Sequence, residues 1–167
     1  YQPLINPKKH LTKSLKDARE LPGIDFNEKG QLEVLARFNY NDELLKFPMD
    51  KTSETAYYYM NMSYAPGDAE YLYNIIRFYK PNKILEIGSG NSTMMAKNAR
   101  DRNKMEDPFD TCRHICSEPY EMPWLEKVDV ELVREKVENV EKSLFLQLEA
   151  NDMLFIDSTH VIRPQGD

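Results

Sequence analysis

Glu86, Gly88, Gly90 and Thr93 share one run, Lys83-Ile84-Leu85-Glu86-Ile87-Gly88-Ser89-Gly90-Asn91-Ser92-Thr93, whose residue types suit a nucleotide-like ligand. A short apolar segment closes on an acid, two glycines follow one residue apart, and small polar residues open a helical pattern. Strand, tight turn and helix N-terminus in that order present backbone N–H groups to a ligand. Two details restrict which ligand. The third glycine of a dinucleotide fingerprint would fall at position 93, and Thr93 stands there. Glu86 sets a negative charge two residues before the first glycine, where a pyrophosphate is repelled. A ligand with a positive charge and a ribose, but no phosphate, matches the run better.

Two further acids close apolar runs. Glu118 follows His114-Ile115-Cys116-Ser117, and Asp157 follows Met153-Leu154-Phe155-Ile156. In a parallel doubly wound sheet, Glu86, Glu118 and Asp157 line one crevice at the carboxyl ends of the strands, beside the switch point in strand order. Glu118 is then placed to accept hydrogen bonds from ribose hydroxyls. His160, three residues beyond Asp157, has the chemistry of a general base near neutral pH, and Asp157 that of a group orienting the imidazole, the acceptor or a divalent metal. No structural metal is expected. In a strand, the Cα atoms of Cys112 and Cys116 lie ~13 Å apart at ~3.3 Å per residue, too far for two thiolates each ~2.3 Å from one zinc.

The elements that must position these groups are readable from spacing. Residues 66–167 form the expected cofactor-binding domain. Asp68 reads as an N-cap, with Leu72, Ile75, Ile76 and Tyr79 on one helical face behind it. That helix ends before Pro81. Lys83–Ile87 follows as a buried strand, Ser92–Arg100 as a helix, 101–112 as a polar loop and His114–Ser117 as a second strand. Val130–Val133 reads as a third strand. Glu135–Glu149 reads as a helix carrying Val137, Val140, Leu144 and Leu148 with a Glu138–Lys142 pair. Met153–Ile156 is the fourth strand. The alternation predicts an α/β fold with a parallel sheet; four strands in the order 3-2-1-4, which the family resemblance given below implies, leave the fourth with an open edge. Residues 1–65 form an irregular extension with short helices expected at 8–20 and 42–47. Its aromatic run Tyr57–Tyr64 reads as a core-covering element in preference to a substrate lid with aromatic faces near a cation.

Composition removes several classes of function. Lys plus Arg number 22 against 28 Asp plus Glu, a net charge of −6, so the basic footprint of a nucleic-acid binder is missing. No apolar run reaches the ~20 residues of a membrane-spanning helix. No secretory signal is visible, although the chain begins at Tyr1, and two cysteines are too few for a disulfide scaffold. A cytoplasmic protein is expected. The sequence is silent on oligomeric state.

Glu86-Ile87-Gly88-Ser89-Gly90-Asn91-Ser92-Thr93, together with Glu118 and Phe155-Ile156-Asp157-Ser158-Thr159-His160, resembles the class I S-adenosylmethionine-dependent methyltransferases. Within them it is most similar to the small-molecule branch whose fourth strand ends in an Asp-Ser-(Ser/Thr)-His or Asp-Gly-Asp-His type of motif. The resemblance covers residues 66–167. It implies a Rossmann-like sheet, S-adenosylmethionine as cofactor and a small-molecule acceptor, with O-methylation as the expected transfer. It also implies roles: Gly88 and Gly90 admit the amino-acid portion of the cofactor, Glu86 helps hold its ammonium group, Ser89 and Asn91 to Thr93 line the same loop, and Glu118 grips the ribose. Glu135 is the candidate adenine contact, and Asp157 and His160 are the candidate catalytic pair. A full sheet of this family has seven strands. The sequence ends soon after the fourth, at Pro164-Gln165-Gly166-Asp167, so the sheet is expected to be incomplete at its C-terminal side. A nicotinamide-dependent oxidoreductase and a non-catalytic cofactor-binding fragment stand as alternatives.

Overall fold

The computed structural model describes residues 13, 14, 16, 17 and 22–159. The helix expected at 8–20 falls largely outside these residues, and His160 lies outside them altogether. The chain divides into two compact units, Tyr1–Ala36 and Arg37–Asp167. In the first, Asn27 adopts a left-handed backbone (φ 43°), and its side chain accepts the Gly30 N–H to start α1, Glu28–Leu35. Asparagine tolerates that conformation better than most residues.

The second unit holds the sheet. Its elements are α2 (Asn41–Leu44), α3 (Asp68–Tyr79), β1 (Lys83–Ile87), α4 (Asn91–Glu106), β2 (Arg113–Ser117), β3 (Glu131–Val133), α5 (Lys142–Leu146) and β4 (Met153–Ile156). The strand order is β3-β2-β1-β4 and every pairing is parallel. This is the parallel α/β arrangement that the alternation predicts, with the Rossmann-like strand order that the resemblance implies. Ile84, Leu85 and Ile87 are buried together because a central parallel strand is covered on both faces. Ile84 faces a core built with Leu72, Tyr73, Ile76, Met94, Met95 and Ala99 of α3 and α4. Leu85, Ile87 and Ile115 face the other side, under Val133, Val137, Leu144, Phe145 and Leu148.

Residues 37–65 are irregular apart from α2, yet they belong to the sheet-bearing unit. Leu44 and Tyr57 are buried in the same core as α3 and α4. Phe47 meets Tyr57, Tyr59 and Tyr73 edge to face. The Tyr57 hydroxyl donates to the Tyr64 carbonyl at 2.9 Å, and burial pushes that phenol up to about 12. The aromatic run is a core-covering element, as its reading in the sequence favoured.

Three local expectations need correction. Asp68 is not the cap of α3 but its first helical residue, and Gly67, at φ 95°, occupies the cap position. Helix α4 does not stop at Arg100 but continues to Glu106. The polar residues that read as a loop are held by charge: Lys97 pairs with Asp101, Asn103 donates to the Ile76 carbonyl at 3.1 Å, and Glu106 accepts from Arg77 at 2.6 Å. Nor do residues 135–149 form one helix. Lys136 and Val140 are extended around a short turn at Val137–Asn139, Glu141 caps in a non-helical conformation, and α5 spans only Lys142–Leu146. Val137, Leu144, Phe145 and Leu148 still reach the second core. They do so from a turn and a short helix, in keeping with the low helix propensity of Val137 and Val140.

Candidate functional site

The carboxyl ends of β1, β2 and β4 meet around a cavity of about 270 Å³ whose lining includes Gly88, Ser89, Glu118, Tyr120, Lys136 and Asp157. The turn after β1 passes very close to the end of β4. Gly88 has φ 83°, and a Cβ there would lie 2.2 Å from the Asp157 carbonyl oxygen. Its N–H donates to the Ser117 carbonyl, and the Asp157 N–H donates to the Ile87 carbonyl, each at 3.0 Å. The first glycine of the run is therefore a packing requirement of the crevice itself.

Glu118 is anchored to that turn. Its Oε2 accepts the Ser89 N–H at 3.0 Å and its Oε1 the Tyr120 N–H at 2.9 Å. Arg134, just past β3, donates to the carbonyls of Glu118 at 3.2 Å and Tyr120 at 2.7 Å and so pins the loop that carries the acid. The side chain is almost buried, yet it lines the cavity. Backbone N–H donors of this kind fix a carboxylate in orientation.

The other residues of the run lie elsewhere. Gly90 has extended backbone (φ −175°), and nothing lies within 4 Å of the place its Cβ would occupy. Its N–H donates to Thr93 Oγ1 at 3.0 Å. Asn91 donates to Ser63 Oγ at 2.7 Å. Glu86, Ser92 and Thr93 are buried and do not line the cavity. The expectation that Glu86 holds a ligand ammonium directly is corrected here. Strand alternation turns its side chain away from Leu85 and Ile87, under the first turn of α4. There it accepts from Ser92 Oγ at 2.6 Å and meets His114 Nε2 at 2.8 Å and Cys116 Sγ at 3.5 Å. Glu86, His114 and Cys116 bring a carboxylate oxygen, an imidazole nitrogen and a thiol within 4.8 Å of one another, a grouping able to hold a metal ion. Cys116 belongs to this grouping and Cys112 does not, and neither cysteine forms a disulfide.

Lys136, Val137 and Glu138 line the cavity where Glu135 was the candidate. The Glu135 carbonyl instead accepts from Ser117 Oγ at 3.1 Å, tying the end of β2 to the residue before this turn. The signal in the sequence was position alone: these residues follow β3 at the sheet's carboxyl end. Three carboxylates (Glu118, Glu138 and Asp157) and one lysine border the cavity, leaving it acidic. Asp157 also borders a second cavity of about 630 Å³ between α3 and β4, with Tyr64, Asp68, Tyr71 and Phe155 on its walls. Burial, and after it the charges of Asp68, Asp157 and Glu86, push the Tyr64 phenol well above its ordinary range. Tyr64 is therefore a neutral aromatic wall.

No protein-family model matches the chain, and no solved structure matches it. An uncharacterized protein of Archaeoglobus fulgidus is 31% identical over 163 residues, a match covering 90% of this chain and 72% of the archaeal one. The chain belongs to the family of that archaeal protein. Among the described residues, no helix is long and apolar enough to cross a membrane.

Proposed function

We propose that the crevice binds S-adenosylmethionine and that the protein is a cytoplasmic methyltransferase of the class I type, acting on a hydroxyl-bearing small molecule. The observation that carries this reading is the anchored Glu118 carboxylate, fixed by the Ser89 and Tyr120 N–H groups at the end of β2 and lining an acidic cavity over a glycine turn. An acid there suits the two hydroxyls of a ribose, and the surplus of carboxylates suits a cation. The open space beside Gly90 lets a ligand approach the turn closely. The chain's residues fit the cofactor on these grounds.

When bound, the cofactor supplies a methyl group already activated by its sulfonium. The chain's own task is then to bind, to orient and to exclude water. Glu118 holds the ribose end. Ser89 and the Gly88 turn shape the floor. Asp157, which borders both cavities, orients the acceptor, and His160 takes its proton.

Calorimetric titration with S-adenosylmethionine, S-adenosylhomocysteine and NAD tests the reading. Binding of both sulfur compounds is expected. Binding of NAD with neither of them would point to an oxidoreductase and reject the proposal. Glu118→Ala is expected to weaken cofactor binding by roughly tenfold to a hundredfold, the size of lost hydrogen bonds to a charged group. Unchanged affinity would remove Glu118 from the site. His160→Ala is expected to lower methyl transfer to the acceptor by roughly a hundredfold, while cofactor affinity stays as it was. Full turnover in that variant would leave the histidine without a catalytic part.

A further inference from the structure

The cavity has two walls, and they are secured differently. Gly88 and Asp157 are tied by backbone at the end of the β1–β4 ladder. The opposite wall, Ser117 to Tyr120 with Lys136 to Glu138, has less ladder behind it. β3 is 3 residues long, and among the described residues it pairs only with β2. Its register ends with Val133 opposite Ser117. Three sets of bonds carry the association onward. The Glu118 N–H donates to the Val133 carbonyl at 3.1 Å, Ser117 Oγ donates to the Glu135 carbonyl at 3.1 Å, and Arg134 donates to the carbonyls of Glu118 and Tyr120.

Arg134 does more here than the other two. Its Nη1 reaches both carbonyls, and its Nη2 bonds Glu126 in the short turn Leu125–Lys127. A guanidinium holds its donors in one plane at fixed angles, so an acid on one edge sets the direction of the other. The two carbonyls bracket the peptide unit that carries the Tyr120 N–H, and that N–H holds Glu118 Oε1. Arg134 does not line the cavity, while Lys136, two residues on, does. The Arg134 and Glu126 side chains are 29% and 61% exposed. An ion pair so open to water adds little to stability. Its effect is on orientation.

We infer that Arg134, itself aimed by Glu126, is the positioning residue for Glu118: it fixes the Glu118–Tyr120 loop so that the carboxylate presents its remaining lone pairs to the hydroxyls of a ribose. The inference rests on the proposed cofactor reading. Because Arg134 acts through Glu118, its effect on binding disappears when Glu118 is removed. A residue that only supports the fold lacks that property.

Titrating S-adenosylhomocysteine into the wild-type protein, Arg134→Met, Glu118→Ala and the double variant tests the coupling. Arg134→Met is expected to weaken binding roughly tenfold when Glu118 is present and less than about twofold when it is gone. The same loss in both backgrounds, or no loss in either, would overturn the inference. Absence of binding by the wild-type protein would instead reject the cofactor reading, and the positioning role is then tested without a ligand. In Arg134→Met the Tyr120 amide proton should exchange with deuterium roughly tenfold faster, while that of Asp157 on the opposite wall keeps its rate. Equal acceleration of the two would mean a general loss of stability and overturn the assignment. Should Arg134→Met not fold, Glu126→Gln changes only an exposed carboxylate and is expected to weaken binding roughly threefold. Unchanged affinity in that variant would overturn the inference as well.

Discussion

Gly88→Ala is expected to lower the melting temperature by about 5–10 °C and to reduce cofactor affinity at least tenfold, whereas Gly90→Ala should leave the melting temperature nearly unchanged. The first effect has two sources. A backbone at φ 83° costs a residue with a Cβ about 1–3 kcal/mol. The added carbon would also lie 2.2 Å from the Asp157 carbonyl oxygen and 3.1 Å from its carbon. Those atoms are backbone, held by the bond from the Asp157 N–H to Ile87 at the end of the β1–β4 ladder, so they yield only if the crevice opens. At roughly 2–4 °C per kcal/mol for a domain of this size, strain and overlap together give the stated drop. Gly90 differs on both counts, with an extended backbone and free space around its missing Cβ. A surface change of that kind stays within about 0.5 kcal/mol. On the proposed reading of the crevice, its methyl group would stand where the ligand approaches, so affinity is expected to fall without loss of stability. Differential scanning calorimetry and titration on the two variants read both quantities. Equal melting temperatures would show that the close approach of Asp157 to Gly88 is not a constraint on the fold.

Arg77→Met is expected to cost about 3–5 kcal/mol of unfolding free energy, the usual penalty for removing one partner from a buried charge network. Arg77 is 1% exposed. Its Nε donates to Glu43 at 2.9 Å and one terminal nitrogen to Glu106 at 2.6 Å, the other bonds to Asn103, and the guanidinium lies 4.6 Å from the centre of the Tyr40 ring. Tyr73 donates to Glu43 at 2.6 Å as well. Burial by itself would raise the Glu43 carboxyl. The bonds from Arg77 and Tyr73 and the charges of Arg77 and Arg102 outweigh it and hold the group below its usual range. A carboxyl depressed in the folded state contributes stability above its unfolded value, and that contribution is lost as the pH falls through the folded one. Urea midpoints of the wild-type protein should therefore drop between about pH 5 and pH 3, with a shallower slope in the variant. A variant as stable as wild type at neutral pH would show that the network is dispensable.

The sheet is legible because β1, β2 and β4 are short apolar runs with clear boundaries, and β2 and β4 are followed directly by acids that border the crevice. Glu118 and Gly88 were found for the same reason, since a residue at a strand's carboxyl end is placed by the strand. Glu86 was misplaced by a subtler effect. Its position in the chain is beside the cavity, but the two-residue alternation of β1 sends the side chain into the core, and only His114, Ser92 and Cys116 show that it has partners there. Lys136 to Glu138 were missed because Val137, Val140, Leu144 and Leu148 match a helical period while serving a turn and one short helix. The far end of α4 was taken for a loop because its residues are polar. What keeps them helical is Arg77, a long-range partner that no local window contains.

The one-sided pairing of β4 implies an uneven lability across the sheet. β1 is hydrogen-bonded to β2 on one side and β4 on the other, and its middle residues are fully covered. β4 pairs only with β1 among the described residues, and Leu154 and Ile156 are exposed on its second face. Amide protons of β1 should accordingly be among the last to exchange with deuterium, close to the rate set by global unfolding. Those of β4 that point away from β1 have no ladder partner among the described residues and should exchange fastest. The crevice is thus bounded on one side by a strand held from both sides and on the other by one held, among the described residues, from a single side.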